Sequence, residues 1–479
     1  MGGPPIPYLS SAMPHPRPDT RGATLSHTST EITRRAVVQL AWPVVIASSS
    51  VPLLGIADTA VLGNTGTVAE LGAIALGALV FNFAYWSFSF LRMGTTGFIA
   101  QASGAGDSAE VRSVLGRALL LALVISLALI VLQRPIITLA LAMLGAGSEV
   151  EQLTRAYFDI RIWGAPASLA TFAVLGTFVG LGRMRHLLMI QLTLNGVNIV
   201  LDVLLGGVMG LGIQGIAIGT IIAEWSTLGL AIWLVIRILA HERRDDEPFW
   251  PKLRILDVER VRRTLGANAD IMVRTLFLLL GFAWFTNQGA SFGDEVLAAN
   301  HVLLQLISLS AYLLDGYAHA TETFVGRAFG AGDRVMFDRA IRASTELSAA
   351  SALVLAALVA LAGPTAIAGL TDLDSVRSVA EAYLPLTATY VLLSFAAFQL
   401  DGIFIGATGT RAMRNASVLS CLTFIVVSIP MITTWGNLGL WVSFIGYVVV
   451  RALALGARLS NLRLGFKAAL PVRTGEVLT

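Results

Sequence analysis

The chain has 479 residues, of which 55% are hydrophobic and 13% charged, with a mean hydropathy of +0.75. Soluble domains carry about 25% charged residues, so a water-soluble globular protein is excluded and the bilayer is the solvent to reason with. The formal charge of +3 and pI of 9.2 would suit a nucleic-acid binder, but topology explains the arginines better.

Residues 1–33 are rich in Pro, Ser, Thr and Gly and hold no apolar core, so they read as a disordered cytoplasmic tail rather than a cleaved signal. Apolar stretches of spanning length then run over 37–62, 71–93, 116–142, 157–180, 187–209, 213–239, 268–290, 296–320, 343–369, 382–407, 415–434 and 438–458. At about 20 residues per crossing they predict an all-α polytopic membrane protein of about twelve transmembrane helices. The first, third and ninth are long, and Pro43 and Pro52 are the expected kink points of the first. The longest internal hydrophilic stretch, 241–264, is an inter-lobe linker between an N-lobe (34–240) and a C-lobe (265–460), with a tail over 461–479. The single cysteine, Cys421, lies in an apolar run, which excludes a disulfide framework and points to a small buried side chain.

Arginines sort the loops. Arg34, Arg35, Arg112, Arg117, Arg183, Arg185, the run from Arg243 to Arg263, the run from Arg327 to Arg342, Arg411, Arg414, Arg458 and Arg463 fall on one side. The opposite loops hold Glu70, Asp294, Glu295, Asp372 and Asp374 and little base beyond Arg377. The positive-inside rule then puts both termini, the linker and these arginines in the cytoplasm.

The halves repeat. QASGAGD at 101–107 returns as RAFGAGD at 327–333, an offset of 226 (333 − 107). The same offset pairs Gly63 with Gly289, Leu71 with Leu297, Phe98 with Phe324, Tyr157 with Tyr383, Phe172 with Phe398, and GTFVGLGRMR (176–185) with GIFIGATGTR (402–411). Six spans per half give both lobes the same orientation, a parallel repeat about an axis along the membrane normal.

The residues the repeat does not copy carry the functional expectation. Asp58 falls opposite Trp284, and Asp202 opposite Ser428. A carboxylate at the centre of a membrane helix costs about 2.5–3.5 kcal/mol on insertion scales, so it is kept where it pairs, faces a cavity or carries an ion. Asp58 lies about 30 Å along the first span at about 1.5 Å per residue. Asn198 and Asp202 share one face of the fifth span with Asn195 beside them, and Thr220 on the sixth comes to a similar depth. These five residues are expected to line one outer-half pocket that holds a proton or a sodium ion. The alternative is a buried hydrogen-bond network that fixes helix packing.

In the C-lobe, Asp270 and Arg274 are an i,i+4 pair read as structural. Asp315 and Glu322 lie near the cytoplasmic face, where bases such as Arg327 are expected to neutralise them. Asp401 is deeper, has no obvious local partner, and is kept as a second cation or gating acid. His301 and His319 are isolated, without a second ligand at metal spacing, so no metal site or cofactor is expected. Phe81, Tyr85, Trp86, Met93 and Trp284 are the aromatic and thioether candidates for a substrate cleft.

LGIADTAVLG, FLRMGTTGFIAQASGAGD, NADIMVRTL, AYLLDGYAHATETFVGRAFGAGD and DGIFIGATGTRAMRN, in this order, resemble the DinF-type branch of the multidrug and toxic compound extrusion (MATE) transporters, over residues 34–460. The resemblance implies two six-helix lobes and cation-driven efflux of diverse, often cationic amphiphilic compounds. It implies a cell (inner) membrane location, no enzyme activity, no cofactor beyond coupling H+ or Na+, and action as a monomer. It also implies that Asp58, Asn198 and Asp202, with Thr220, form the cation site, and that Asp401 is similar to an acid of the NorM-type branch. The membrane glutamate of that branch on the seventh span is missing, with Arg274, Thr275 and Leu276 in its region. The alternative function is a flippase for a lipid-linked precursor. It calls for a basic central cavity, and only Arg274 and Arg451 read as deep.

Overall fold

The computed structural model describes residues 32–145, 147–243 and 245–468, without the side chains of residues 51–53, 56 and 65. The tails expected over 1–31 and 469–479 lie outside the described residues. Helices α1 (Arg34–Ser49) and α2 (Val51–Thr65) form the first span, and α3 (Val68–Ser87) and α4 (Phe90–Gly104) the second. The third is α5 (Ser108–Val131) followed by α6 (Gln133–Leu144), and the fourth is α7 (Ser148–Arg161), a 3₁₀ turn (Ile162–Gly164) and α8 (Ala165–Gly180). The fifth is α9 (Met184–Leu201) running into a π-helix (Asp202–Val208), and the sixth is α10 (Gly212–His241). After a short α11 (Lys252–Ile255) come α12 (Val258–Ala290), α13 (Asp294–Gly330), α14 (Arg334–Leu370), α15 (Asp374–Gly406), α16 (Thr410–Trp435), α17 (Asn437–Gly456) and α18 (Leu459–Ala468).

Eleven spans are long and apolar enough to cross a membrane among the described residues. The remaining expected span, the first, is cut at Ser50 into pieces of 16 and 15 residues. The cut comes at Pro52, in the first turn of α2, whereas Pro43 lies within α1 without breaking it. Most helices run beyond their apolar cores. α12 begins at Val258, capped by the Asp257 side chain, inside the stretch read as linker. A polar helix end still closes its backbone hydrogen bonds, so hydropathy marks the lipid-facing length rather than the helix length. The C-terminal tail likewise starts as helix α18, whose Phe466 ring packs 5.1 Å from Phe329 and 5.0 Å from Phe337.

The repeat extends to backbone conformation. Gly106 and Gly332, 226 apart, are both left-handed at φ 74° and 68°, and the aspartates that follow them cap α5 and α14. Gly182 is left-handed at φ 62°, and its counterpart Thr408 keeps φ 53° although it is β-branched. A side chain there costs about 1–3 kcal/mol, so the surrounding packing imposes the conformation.

Each half has its own apolar core, and the two halves meet most closely at the arginine-rich end. A Cβ on Gly104 would stand 2.1 Å from the carbonyl oxygen of Arg327, and one on Gly330 would stand 2.0 Å from that of Gln101. Since 104 matches 330 and 101 matches 327, this is one contact made twice about the repeat axis. The same doubling continues with Thr323 Oγ1, which donates to the Val179 carbonyl at 2.6 Å, while Gly97 abuts the Ile405 carbonyl. Gln101 Nε2 donates to the Gly406 carbonyl at 2.9 Å and to Thr408 Oγ1 at 3.1 Å, and Arg327 donates to the Leu181 carbonyl. Small residues let the helices approach to backbone contact, which is how membrane helices associate where apolar burial gives no net drive.

The linker is folded onto the first half. Arg112, fully buried on α5, grips Asp245 with Nη2 at 2.7 Å and Nη1 at 3.1 Å, and its Nε donates to the Phe249 carbonyl at 2.8 Å. Arg117 donates to the Arg254 carbonyl at 2.8 Å, and Arg254 returns to Asp107 at 2.9 Å. The Arg112 fork holds the Asp245 carboxyl down at about 2, below its ordinary 3.8.

Candidate functional site

The backbone of the first half is irregular where the site residues sit. Ser50 interrupts the first span, Ile162–Gly164 tightens the fourth, and Asp202 opens a π-helical turn in the fifth. Such turns leave the regular ladder and re-aim a side chain, and π-turns recur at functional positions. Non-helical backbone at membrane depth is tolerated where protein surrounds it or water reaches it.

Asp58, on α2, and Asp202 come within hydrogen-bond reach of each other. Asp202 is fully buried, and no donor among the described residues serves either of its carboxyl oxygens or Asp58 Oδ1. An ionised carboxylate only accepts, so two of them can join only through a proton or a cation held between them. Gly219 on α10 makes the room, since a Cβ there would stand 2.9 Å from Asp202 Oδ1.

Asn198, one turn before Asp202, donates from Nδ2 to Thr220 Oγ1 at 3.0 Å, and its own Oδ1 is buried without a donor. Thr220 passes its proton to the Ile216 carbonyl at 2.9 Å, so its lone pairs stay turned to Asn198. Asn195 instead donates to Ser50 Oγ at 2.7 Å and accepts from Gln191 at 3.2 Å. It ties α9 to the break in the first span. The structure thus brings Asp58 and Asp202 together, joins Asn198 to Thr220, and turns Asn195 to the hinge.

Two charged residues that the sequence reading passed over adjoin this site. Arg161, at the end of α7, lies 3.4 Å from Glu224 of α10, with side chains 14% and 6% exposed. Its guanidinium sits 4.8 Å above the Phe81 ring, and its Nη1 donates to the Tyr157 hydroxyl at 3.1 Å. Arg161 acts electrostatically on both Asp58 and Asp202. The signal was available: IRIW and AEWS place a base and an acid inside apolar spans, and neither is copied, since Thr387 and Val450 stand at the matching positions.

The second half keeps the contact and drops the charge. Trp284 and Ser428, the counterparts of Asp58 and Asp202, are hydrogen-bonded, Nε1 to Oγ at 2.9 Å. The acids of this half differ from expectation. Asp270 pairs with Arg414 at 2.6 Å and Thr410 at 3.0 Å, not with Arg274, because one helical turn up α12 the arginine points to another helix. Arg274 and Arg451 both donate to Asp401 Oδ2, the latter at 3.1 Å, so this acid does not lack partners. Arg327 is spent on the Leu181 carbonyl, and Glu322 is met instead by Arg92 of α4 at 3.4 Å.

Among the cleft candidates, Phe81 is 3% exposed and stacks 5.1 Å from Phe158, so it belongs to the core and to Arg161 rather than to an open wall. Tyr85 meets Phe172 edge-on at 6.3 Å and keeps a buried hydroxyl without a partner. Trp86 is exposed, Met93 packs into clusters from both halves, and Trp284 is held by Ser428. His319 bonds the Asp315 carbonyl at 2.7 Å, and His301 lies 3.3 Å from Gln305. No group of three metal-ligating side chains occurs among the described residues.

The MatE family model matches residues 43–204 and 271–457, one segment to each half. DNA damage-inducible protein F of Escherichia coli (strain K12) is 37% identical over 426 residues, covering 88% of this chain and 91% of that one. A probable multidrug resistance protein NorM of Deinococcus radiodurans is 29% identical over 451 residues, covering 90% and 96%. A crystal structure of MATE in the straight conformation superposes with a TM-score of 0.78 at 20% identity, covering 91% and 96%. With two uncopied acids facing each other in a twelve-span repeat, the chain belongs to the MATE family of multidrug efflux transporters, polytopic membrane proteins that move small molecules and are not enzymes.

Proposed function

We propose that this protein exports amphiphilic, often cationic small molecules in exchange for a proton or a sodium ion, with Asp58 and Asp202 as the coupling carboxyls. One observation carries the reading: the two acids are within bonding reach, and Asp202 is wholly buried with no donor to either oxygen among the described residues. A shared cation neutralises them at low cost, and its loss leaves two charges in low dielectric. Asn198 and Thr220 supply further oxygens of the hard kind that sodium prefers, so the same pocket suits either ion.

The arginine-rich end is read as cytoplasmic by the positive-inside rule, with both termini there and the protein acting as a monomer in the cell membrane. The halves that move are then 34–240 and 265–460, joined by the folded linker. Gly104 and Gly330 hold the end read as cytoplasmic shut in this state. The coupling ion enters, the lobes rock, the ion leaves inward, and cargo binds from the cytoplasm or inner leaflet. A flippase for a pyrophosphate lipid calls for unpaired arginines. Arg92, Arg161, Arg274 and Arg451 lie deep, and each already meets a carboxylate.

The test is cargo transport in proteoliposomes under separately imposed pH and sodium gradients. Asp58→Asn and Asp202→Asn are expected to fold, keep cargo binding and lose at least about 90% of gradient-driven transport, a change of about 1.4 kcal/mol or more. Wild-type rates in either variant overturn the assignment.

A further inference from the structure

Three of the deep arginines meet acids of their own half, Arg161 with Glu224 and both Arg274 and Arg451 with Asp401. Arg92 differs. Its Nη1 stands 3.4 Å from Glu322 Oε2 across the two halves, joining α4 to α13, with side chains 16% and 2% exposed. Asp315 lies seven residues earlier on α13, on the same face, half-buried and within electrostatic range of Arg92. No ion pair holds Asp315 among the described residues. The repeat copies none of the three, since Ala318, Thr96 and Ser89 stand at the positions matching Arg92, Glu322 and Asp315.

Glu322 is one turn from Gly326, which abuts Ala100 in the sealed end, so the Arg92–Glu322 pair sits directly on the seal. Its members belong to different halves. Opening that end must draw them apart and leave Glu322 in a low-dielectric site without its cation. Such a carboxylate either takes up a proton or meets another positive charge, and a cationic cargo supplies the second.

The geometry points to Glu322, with Asp315 beside it, as the docking site for an organic monocation, and to Arg92 as a tethered cation that displaces it when the seal closes. This rests on the orientation and rocking motion proposed above, and it is independent of which ion Asp58 and Asp202 carry. Glu322 then faces one positive charge in each state, the cargo's when the cytoplasmic end is open and Arg92's when it is shut. The direction is that of export, because closure expels the cargo from the acid just as the outer side opens.

The experiment uses the full-length protein in lipid nanodiscs, with tetraphenylphosphonium as the permanent cation and a neutral hydrophobic dye as the control. Arg92→Gln is expected to bind tetraphenylphosphonium at least about tenfold more tightly than wild type, with Arg92→Lys close to wild type. Arg92→Gln combined with Glu322→Gln is expected to lose that gain, and neutral-dye binding is expected to stay unchanged throughout. In proteoliposomes, Glu322→Gln alone is expected to raise the KM for tetraphenylphosphonium about tenfold without changing that for a neutral cargo. This second readout serves if Arg92→Gln does not fold. Equal binding by wild type and Arg92→Gln, a gain that survives Glu322→Gln, or an unchanged KM in Glu322→Gln overturns the proposal. Asp58→Asn separates the two readings. It is expected to stop gradient-driven transport and still show the Arg92→Gln gain in binding, so either result can fail alone.

Discussion

The charges that matter here were visible one by one, and their partners were not. An acid inside an apolar span is legible by its cost, and that rule picked out Asp58, Asp202 and Asp401. Applied evenly, it would have picked out Arg161, Glu224 and Arg92 as well. What no local rule supplies is the other half of each pair, because Asp401 finds its arginines 127 and 50 residues away. The i,i+4 geometry that suggested Asp270 with Arg274 lost to helices packed alongside, which offer both residues better partners. Arg161 and Glu224 make the same point with a measurable consequence. Removing one member of a buried ion pair leaves the other uncompensated and costs about 3–5 kcal/mol, whereas removing both costs far less. Arg161→Gln and Glu224→Gln are each expected to destabilise by that amount, and the double variant to recover most of it. Reversible chemical unfolding of the four proteins in detergent, treated as a double-mutant cycle, measures the coupling. Additive losses contradict it.

Whole spans were legible because hydropathy reports lipid contact, but apart from the cut at Pro52 the breaks within them were not. The second half runs α12 to α15 as uninterrupted helices of 33 to 37 residues, while the first half breaks at Ser50, Phe88–Ser89, Leu132 and Ile162–Gly164 and bulges at Asp202. Pro52, Pro135 and Pro166 closely follow three of the four breaks and none follows Phe88–Ser89, while Pro43, Pro364, Pro385 and Pro430 lie inside helices that continue through them. Proline alone therefore did not say which spans would part, and the bulge at Asp202 has no proline near it. Three of the five irregularities adjoin the carboxyl site, where side chains rather than backbone repetition decide the path of the chain. The linker shows the opposite case, a hydrophilic stretch between the halves that is an ordered element gripped by α5. Its hold depends on the Asp245 carboxylate, whose folded value of about 2 lies below the ordinary 3.8. A depressed acid contributes its stability above the unfolded value and loses it as pH falls through the folded one. The latch is therefore expected to hold from neutral pH down to about 4 and to release between 3.8 and about 2. Hydrogen exchange over 245–257, corrected for the intrinsic pH dependence, is the measurement. Asp245→Asn is expected to give the released pattern already at pH 7, with faster tryptic cleavage at Lys252 and Arg254.

Across the molecule, the repeat separates the architecture both halves share from the charges one half carries alone. What both halves share is architectural: left-handed turns at 106 and 332, caps at Asp107 and Asp333, and glycines at 104 and 330 that press on each other's motif. The GAGD sequence is thus a turn, a cap and a contact surface rather than a ligand site. What only one half carries is charge, as in Asp58 with Asp202 against Trp284 with Ser428. The offset of 226 was readable from the sequence because the turn, the cap and the close contact each admit few residue types. The reciprocal seal was not, because it needs the two halves placed against each other. If transport requires this seal to open, tying it shut must stop transport without disturbing the Asp58–Asp202 pair, which the seal does not touch. Gln101 and Thr408 face each other across it, Nε2 to Oγ1 at 3.1 Å, and the native thiol Cys421 is buried and removable. In a Cys421→Ser background, Gln101→Cys with Thr408→Cys, bridged by a short methanethiosulfonate crosslinker, is expected to abolish cargo transport, and reductant to restore it. Cation binding from the outer side is expected to continue in the bridged protein. Full bridging with undiminished transport means that cargo crosses without the halves parting at this end, and rocking about the glycine contact fails.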